Sequence, residues 1–448
     1  MSARPGWSFA VLAVTLLAVA GRPAGGPGPA SNFNENWPQW RGAGGQGVGS
    51  GSYPEAWSPA ERLAWKAAIP GRGHSSPVVW RNRLFLTTAI EGAEIPGRTA
   101  PDHLGFDLKP GYLHPDSVGV DRAHTLKVLA LDTATGTVVW ERTVHDGPMY
   151  DNRHRSNTYA SASVVTDGEM VFASFESEGL YAFDVDGTPR WKRSFGGMAK
   201  AGLGPGTSPI LYRNLVILQA DLEMGAGSSI VALDRTSGDE VWRARREHRR
   251  SWATPIVVTA DGRDELIASG AEAVVAYDPA TGAELWRSAG TQSHPIPSFV
   301  TTRGVVLATA GSQAKVAIAL RPGAKNASER IAWRHNKGTA YVTSPIAIGD
   351  YFYLVSDAGI MTCLDAGTGA VVYEGGRVPV PATFRASPVA FGDRILITSE
   401  DGDTFVIRAG RTHEVLRTNS IDEPVWASPA LANGTVYIRG ERHLFAIR

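Results

Sequence analysis

LDTATGTVVW, Leu131 to Trp140, reads as a strand end, a turn and the start of a second strand. The chain writes it again as LDRTSGDEVW from Leu233, YDPATGAELW from Tyr277, LDAGTGAVVY from Leu364, and a shortened FDVDGTPRW from Phe183. Copies at broadly regular intervals identify a structural repeat, which has to be read before any fold is assigned. Within the first copy, Asp132 is placed to accept local backbone N–H groups and Gly136 to adopt a positive φ, so both read as turn-forming residues.

Working back from each copy finds a second landmark, a small or hydroxyl residue with proline ahead of short β-rich runs. Examples are SSPVVWRNRLFLTTA at 75–89, GTSPILYRNLVILQAD at 206–221, VTSPIAIGDYFYLVSD at 342–357, RASPVAFGDRILITSE at 385–400 and WASPALANGTVYIRG at 426–440. Segments opening at YASASVV, WATPIVV and HPIPSFV bring the number to eight, marked by Ser76, Ala162, Ser208, Thr254, Ile296, Ser344, Ser387 and Ser428. Each unit parses into four strands, A to D, with C ending at the Leu-Asp pair and D at a tryptophan. Units of about 40 to 50 residues with four strands each predict an all-β, eight-bladed β-propeller of antiparallel blades.

The two ends of the repeat support a ring over an open solenoid. The last unit, ASPALANGTVYIRGERHLFAIR, has strands A, B and C but no D, whereas ERLAWKAAIP at 61–70 is a D strand with nothing before it. An N-terminal strand completing the C-terminal blade closes the ring. Trp65, Trp140, Trp191, Trp242, Trp286 and Trp333, with Tyr373 in the equivalent place, then become wedges between blades, each burial being worth roughly 1.5 to 3 kcal/mol. Blade seven has only Val415 and Leu416 there and is expected to make a weaker contact.

The 448 residues are 43% hydrophobic, and Lys plus Arg balances Asp plus Glu at 44 each, so no net charge favours nucleic acid as partner. MSARPGWSFAVLAVTLLAVA, residues 1–20, has the pattern of a secretory signal peptide, and 21–36 that of a flexible leader. A periplasmic or secreted location follows as the expectation, with peripheral association at the cell envelope as an extension of it and a monomer as the expected state. A single cysteine, Cys363, lies in an apolar run and excludes an intrachain disulfide. CxxCH, zinc-cluster and phosphate-loop motifs are absent from the sequence.

Departures from the repeat mark the places to look for function. An excess of residues at about 91–124 in blade 1, rich in Gly, Pro, His and Asp, reads as a long excursion between strands B and C. His103, His114, His124, Asp102, Asp107, Asp116 and Asp121 fall there or beside it without a metal-ligand spacing, so no metal is assigned. With strand A innermost, the residues ahead of each A strand ring one mouth of the central channel. They are His74, Asp151, Arg153, His154, Asn157, Tyr159, Arg249, Arg250, Trp252, His294, Tyr341, Arg385 and Trp426, a cationic and aromatic set suited to an anionic ligand or acidic peptide. No catalytic residue is assigned.

From Ser75 onward the SP and LDxxTGxxxW pattern resembles the pyrroloquinoline-quinone-like (PQQ-like) repeat propellers, and WPQWRGAGGQG at 37–47 looks like the leading segment of their secreted bacterial members. The resemblance implies one of two functions. Relatives similar to the assembly scaffold BamB imply an exported, noncatalytic protein that recognises a protein, peptide or extracellular polymer and holds no cofactor. That scaffold carries a cysteine directly after its signal, whereas here Gly21 follows Ala20, so a lipid anchor is not implied. Quinoprotein dehydrogenases imply instead PQQ and calcium oxidising an alcohol or sugar, with Trp252 or Trp426 beneath the quinone and Asp151 as acid or base. The adjacent cysteine pair of many such enzymes cannot exist here.

Overall fold

In a computed structural model the described residues are Met1 and residues 35–102, 114–198, 203–204, 206–222, 227–292 and 294–448. Apart from Met1 the expected signal peptide lies outside them, as does most of the leader. Among the described residues no helix is long and apolar enough to cross a membrane.

Strands A to D form eight consecutive antiparallel sheets, numbered here as blades in chain order. Blade 1 is Val78–Trp80, Arg83–Glu94, Arg122–Asp132 and Val138–Pro148. Blade 4 is Ile256–Ala260, Arg263–Ser269, Ala273–Tyr277 and Glu284–Ala289, and the others follow the same plan. Blade 8 takes Ala430–Ala432, Thr435–Arg439 and His443–Ile447 from the C-terminal end and Leu63–Ala68 from the N-terminal side, with Trp65 opposite Ala446. The ring is therefore closed by the strand that the sequence left unpaired. Buried side chains collect in layers between neighbouring blades, such as Ile217 and Trp242 of blade 3 with Leu266 and Val275 of blade 4, so that cohesion comes from blade on blade.

Each tryptophan wedge has a fixed geometry. Trp65, Trp140, Trp191, Trp242 and Trp333 donate Nε1 to the carbonyl of Thr133, Val185, Arg235, Pro279 and Ala366, the residue after the turn aspartate of the next blade. Trp65, Trp140, Trp191, Trp242, Trp286 and Trp333 also stand opposite alanines, and in blade 6 the pair becomes Tyr373 opposite Cys363. The turn itself is as the motif implies: Asp132 Oδ1 accepts from the N–H of Ala134 and Thr135, and Gly136 has φ +72°. Trp286 departs, donating to the buried carboxylate of Glu265 at 2.6 Å with Arg330 over its ring, because blade 5 replaces the aspartate turn with a loop and the short helix Ala327–Arg330.

Three boundaries differ from those read in the sequence. The leader gives way at Glu35: the Glu35 carbonyl accepts from Asn433 N–H, and buried Asn36 accepts from Arg81 N–H at 2.6 Å. The excursion at 91–124 begins as strand, with Glu91 opposite His124 and Glu94 opposite Arg122, so the loop proper follows Glu94. At the seam of blade 7, another segment of the chain packs where the repeat lacks its aromatic. Val48–Gly49 adds a parallel fifth strand beside Val389–Phe391, Trp57 packs into the apolar cluster that takes in Leu416, Ile421 and Tyr437, and its N–H is held by Asn419 Oδ1 at 2.9 Å. An earlier segment of the chain supplies the aromatic that strand D lacks.

Candidate functional site

The innermost strands are linked by one repeated hydrogen bond. The backbone N–H of Ser76 donates to the hydroxyl of Ser163, and the link repeats from Ser163 to Ser208, to Thr254, to Ser298, to Ser344, to Ser387 and to Ser428, at 2.9 to 3.1 Å throughout. These bonds place the repeat register on the hydroxyl residue, which corrects the sequence reading in two blades: Ser163 and Ser298, not Ala162 and Ile296, occupy the equivalent position. Proline is a neighbour of that residue and not the marker. The eighth link is missing, because the buried Ser76 hydroxyl has no partner among the described residues.

One end of the channel is floored by the segment that begins at Trp37. Trp37 pairs with Val79, Pro38 accepts from Thr166 N–H, the Gln46 side chain accepts from Thr301 N–H, and Gly47 accepts from Ala390 N–H. The strap thus touches blades 1, 2, 5 and 7 at the ends of the A strands away from the mouth. Arg41 is its anchor. Fully buried, the guanidinium donates to the carbonyls of Gly45, Gln46, Pro345 and Pro388 at 2.7 to 3.3 Å, and desolvation pushes its pKa down to about 9. Trp40 beside it faces the space above.

That space is a cavity of about 370 Å³, within the range of small-molecule sites. Its lining includes Trp40, the hydroxyl residues Ser76, Ser208, Thr254, Ser387 and Ser428, and, at the mouth, His74, His154, Asn157, Trp252, Tyr341, Arg385 and Trp426. His74 stacks on Trp426 with ring centroids 5.1 Å apart and planes 4° from parallel. Desolvation, then the charges of Arg439, Arg72 and Arg153, push its pKa down to about 3, so the imidazole is neutral at ordinary pH.

The remaining mouth candidates do not line this cavity. Tyr159 donates to the Asp151 carbonyl at 2.7 Å and Arg153 lies over its ring, which buries all three as packing beneath the excursion. Arg249 is paired with Glu272, and buried Arg250 lies 4.3 Å over the Trp252 ring. His294 lines an adjoining pocket with Tyr341 and His114, its pKa pushed down to about 4 by burial and then by Arg250 and Arg249. Arg385 is held by Glu400 at 2.7 Å. The expected cationic face is therefore aromatic and largely charge-compensated, because burial neutralises its histidines and carboxylates engage its exposed arginines. Trp40 and the ring hydroxyls are the lining residues that sequence reasoning passed over, although the hydroxyl in nearly every SP pair was their signal.

Of the histidine and aspartate residues in the excursion, His103 and Asp107 lie outside the described residues. His114, Asp116 and His154 do meet, held by the pairing of Ser117–Val118 with Arg153–His154. The Nδ1 lone pair of each histidine is already engaged. Nδ1 of His114 accepts from Asp116 N–H and Nδ1 of His154 from Ser156 N–H, leaving Nε2 of each ring protonated. His154 Nε2 lies 3.3 Å from Asp116, whose other oxygen is held by Arg155 at 2.7 Å. The trio is a hydrogen-bonded clasp on the excursion.

A quinone with calcium is the group that the fold invites, and the donor set of the cavity does not fit it. Calcium takes six to eight oxygen ligands, carboxylates prominent among them, and the described lining has no Asp or Glu. Asp151, the one acid considered for chemistry, has its carboxylate on Asn152 N–H at 2.7 Å and lies outside the lining. No reaction step is derived through that cofactor.

Eight four-stranded blades joined by a hydroxyl ladder around a floored cavity define a closed PQQ-like propeller. Residues 124–374 match the family described as "Outer membrane protein assembly factor BamB", and the chain belongs to that family. Among solved structures it is similar to BamB from Moraxella catarrhalis, with 16% identity, a TM-score of 0.53, and 81% of this chain and 98% of that chain covered. It is also similar to the computationally designed Ika8 protein, at 13% identity, a TM-score of 0.52, and 80% and 99% covered. A europium-containing methanol dehydrogenase aligns at 12% identity with a TM-score of 0.50, covering 92% of this chain and 90% of that one. These likenesses concern the fold, and no curated protein sequence matches the chain.

Proposed function

We infer that this is an exported, noncatalytic binding protein that takes part of a protein, peptide or extracellular polymer into the mouth of its ring. The observation that carries the reading is the lining itself: aromatic side chains and hydroxyls around a floored cavity, with no carboxylate among the described lining residues to serve as base or metal ligand. The signal-like pattern of residues 1–20 supports export. The family fold accommodates a quinoprotein as well, and the absence of carboxylate from the lining favours binding over oxidation.

Two measurements test the reading. Dialysis of the folded protein against pyrroloquinoline quinone and calcium should give no saturable uptake, and alcohols and aldoses should drive no dye reduction. Stoichiometric uptake with turnover would overturn the assignment. A photocrosslinking residue at Tyr341, exposed at the mouth, should give discrete adducts in cells, whereas the same residue at Val241, exposed on an outer strand, should not.

A further inference from the structure

Resting on that reading, we propose that the ligand bound in the cavity is a neutral saccharide unit, held face-on by aromatic rings and edge-on by the hydroxyl ladder. The chemistry of the lining narrows the choice. A carboxylate or phosphate ligand calls for an uncompensated cation. Arg385 and Arg249 are each engaged by a carboxylate, and His74 and His294 are held neutral by burial and the neighbouring arginines. A cationic ligand calls for an acid, and the described lining has none.

What the lining does offer is hydroxyl protons. Ser208, Thr254, Ser387 and Ser428 each spend an oxygen lone pair on the N–H of the preceding blade, which leaves the O–H as the group available to a guest. Ser76 is the exception in the ladder: its buried hydroxyl has neither a donor nor an acceptor partner, at a position that lines the cavity. A buried polar group left in this way costs about 1 to 3 kcal/mol, and a guest hydroxyl can satisfy it in both senses. Converging hydroxyl donors suit a ligand whose rim carries many acceptors that are also donors. Trp40, Trp252, Trp426 and Tyr341 line the same space, with His74 stacked on one face of Trp426 and Arg250 over one face of Trp252, which leaves the opposite faces for a guest. A pyranose has both surfaces, a ring of equatorial hydroxyls and an apolar C–H face, in one compact unit. A peptide would instead present alternating backbone donors and acceptors along an extended line, better met by a sheet edge than by a round floored cavity.

Titration calorimetry and tryptophan fluorescence of the mature chain against cellohexaose, maltohexaose and chitohexaose test the assignment. At least one should bind saturably and shift the emission. Trp252→Ala and Trp426→Ala should each weaken it about tenfold or more, the usual cost of removing an aromatic anchor. Ser76→Ala guards against misfolding as an explanation, since this hydroxyl holds no other part of the protein. By deleting an unpaired buried hydroxyl it should hold or raise the thermal unfolding temperature while weakening the saccharide about fivefold. If none of the three saccharides binds, or if binding ignores all three substitutions, the proposal fails. Oligogalacturonate or an unstructured octapeptide binding tenfold more tightly at the same tryptophans would also refute it, while leaving the binding reading intact. Crosslinks at Tyr341 without any saccharide affinity would separate the two in the same way.

Discussion

The indole of Trp65 covers the α-carbon of Gly136: a methyl group placed on that carbon would stand 2.6 Å from Cε3 of the ring. Trp65 belongs to the strand that completes blade 8 and Gly136 to the turn of blade 1, so this contact lies across the closure of the ring. The same overlap joins Gly187 to Trp140, Gly238 to Trp191, Gly282 to Trp242 and Gly369 to Trp333. Glycine in the repeated turn is needed twice, for a positive φ and for the ring that lies on it.

The two requirements separate in a pair of substitutions. Gly262 has φ +75° and open space where a Cβ would project, so Gly262→Ala should cost only the left-handed strain, about 1 to 2 kcal/mol. Gly136→Ala carries that strain and the clash with Trp65, and should cost at least about 2 kcal/mol more. Denaturant unfolding of both variants measures the difference, and equal losses would remove the tryptophan contact from the account of closure.

Arg41→Ala should destabilise the chain by about 2 to 4 kcal/mol, because it strips the donor from four carbonyls at the base of the channel. The strap should become the first region to exchange its amide hydrogens, ahead of the blades. Uniform exchange across strap and blades in the variant would contradict its role as the anchor.

Acid should weaken the protein through its mouth. His74 titrates near 6.5 when unfolded and is pushed down to about 3 when folded. Between those values the unfolded chain carries a proton that the native one does not. Stability is therefore present above pH 6.5 and declines as pH falls, by about 1.4 kcal/mol per unit for the one group. His294, pushed down to about 4, adds a second decline over a narrower window. Unfolding free energies of the wild type and His74→Gln between pH 7 and 4 should diverge, with the variant the flatter.

Cys363 is buried opposite Tyr373, with its thiol pushed up to about 12 by burial. At pH 8 almost none is thiolate. Labelling by a thiol reagent should wait on opening of blade 6 and speed up with denaturant in step with unfolding. Rapid labelling of the native protein would show that this blade opens locally.

The architecture was legible because its determinants are local and repeated. Asp132, Gly136 and Trp140 recur at fixed offsets, and an unpaired D strand near one end answered a missing one at the other. The register was less so: proline is conspicuous, yet Ser163 has none beside it and Ser298 follows Pro297, so only the bonds between blades show that the hydroxyl sets the spacing. At the mouth, position along the repeat told which residues come near the channel but not how their charges are met. Glu272 and Glu400 are remote in sequence from Arg249 and Arg385, 23 and 15 residues away, and nothing in the motif pairs them. Trp57 filling the seam of blade 7 was equally hidden, since its partner Asn419 is 362 residues distant.

That separation orders the making of the molecule. Trp57 and the closing strand leave the ribosome before any blade, yet their partners emerge last, roughly 20 to 70 s later at 5 to 20 residues per second. During that interval an apolar strand and several tryptophans are in solution without a sheet to join. Blades can stack in the order of synthesis and the floor is complete once blade 7 is made, but the final seam is laid only when the last repeat arrives. A nascent chain of this design has to keep residues 57–68 from aggregating until residues 419–447 exist.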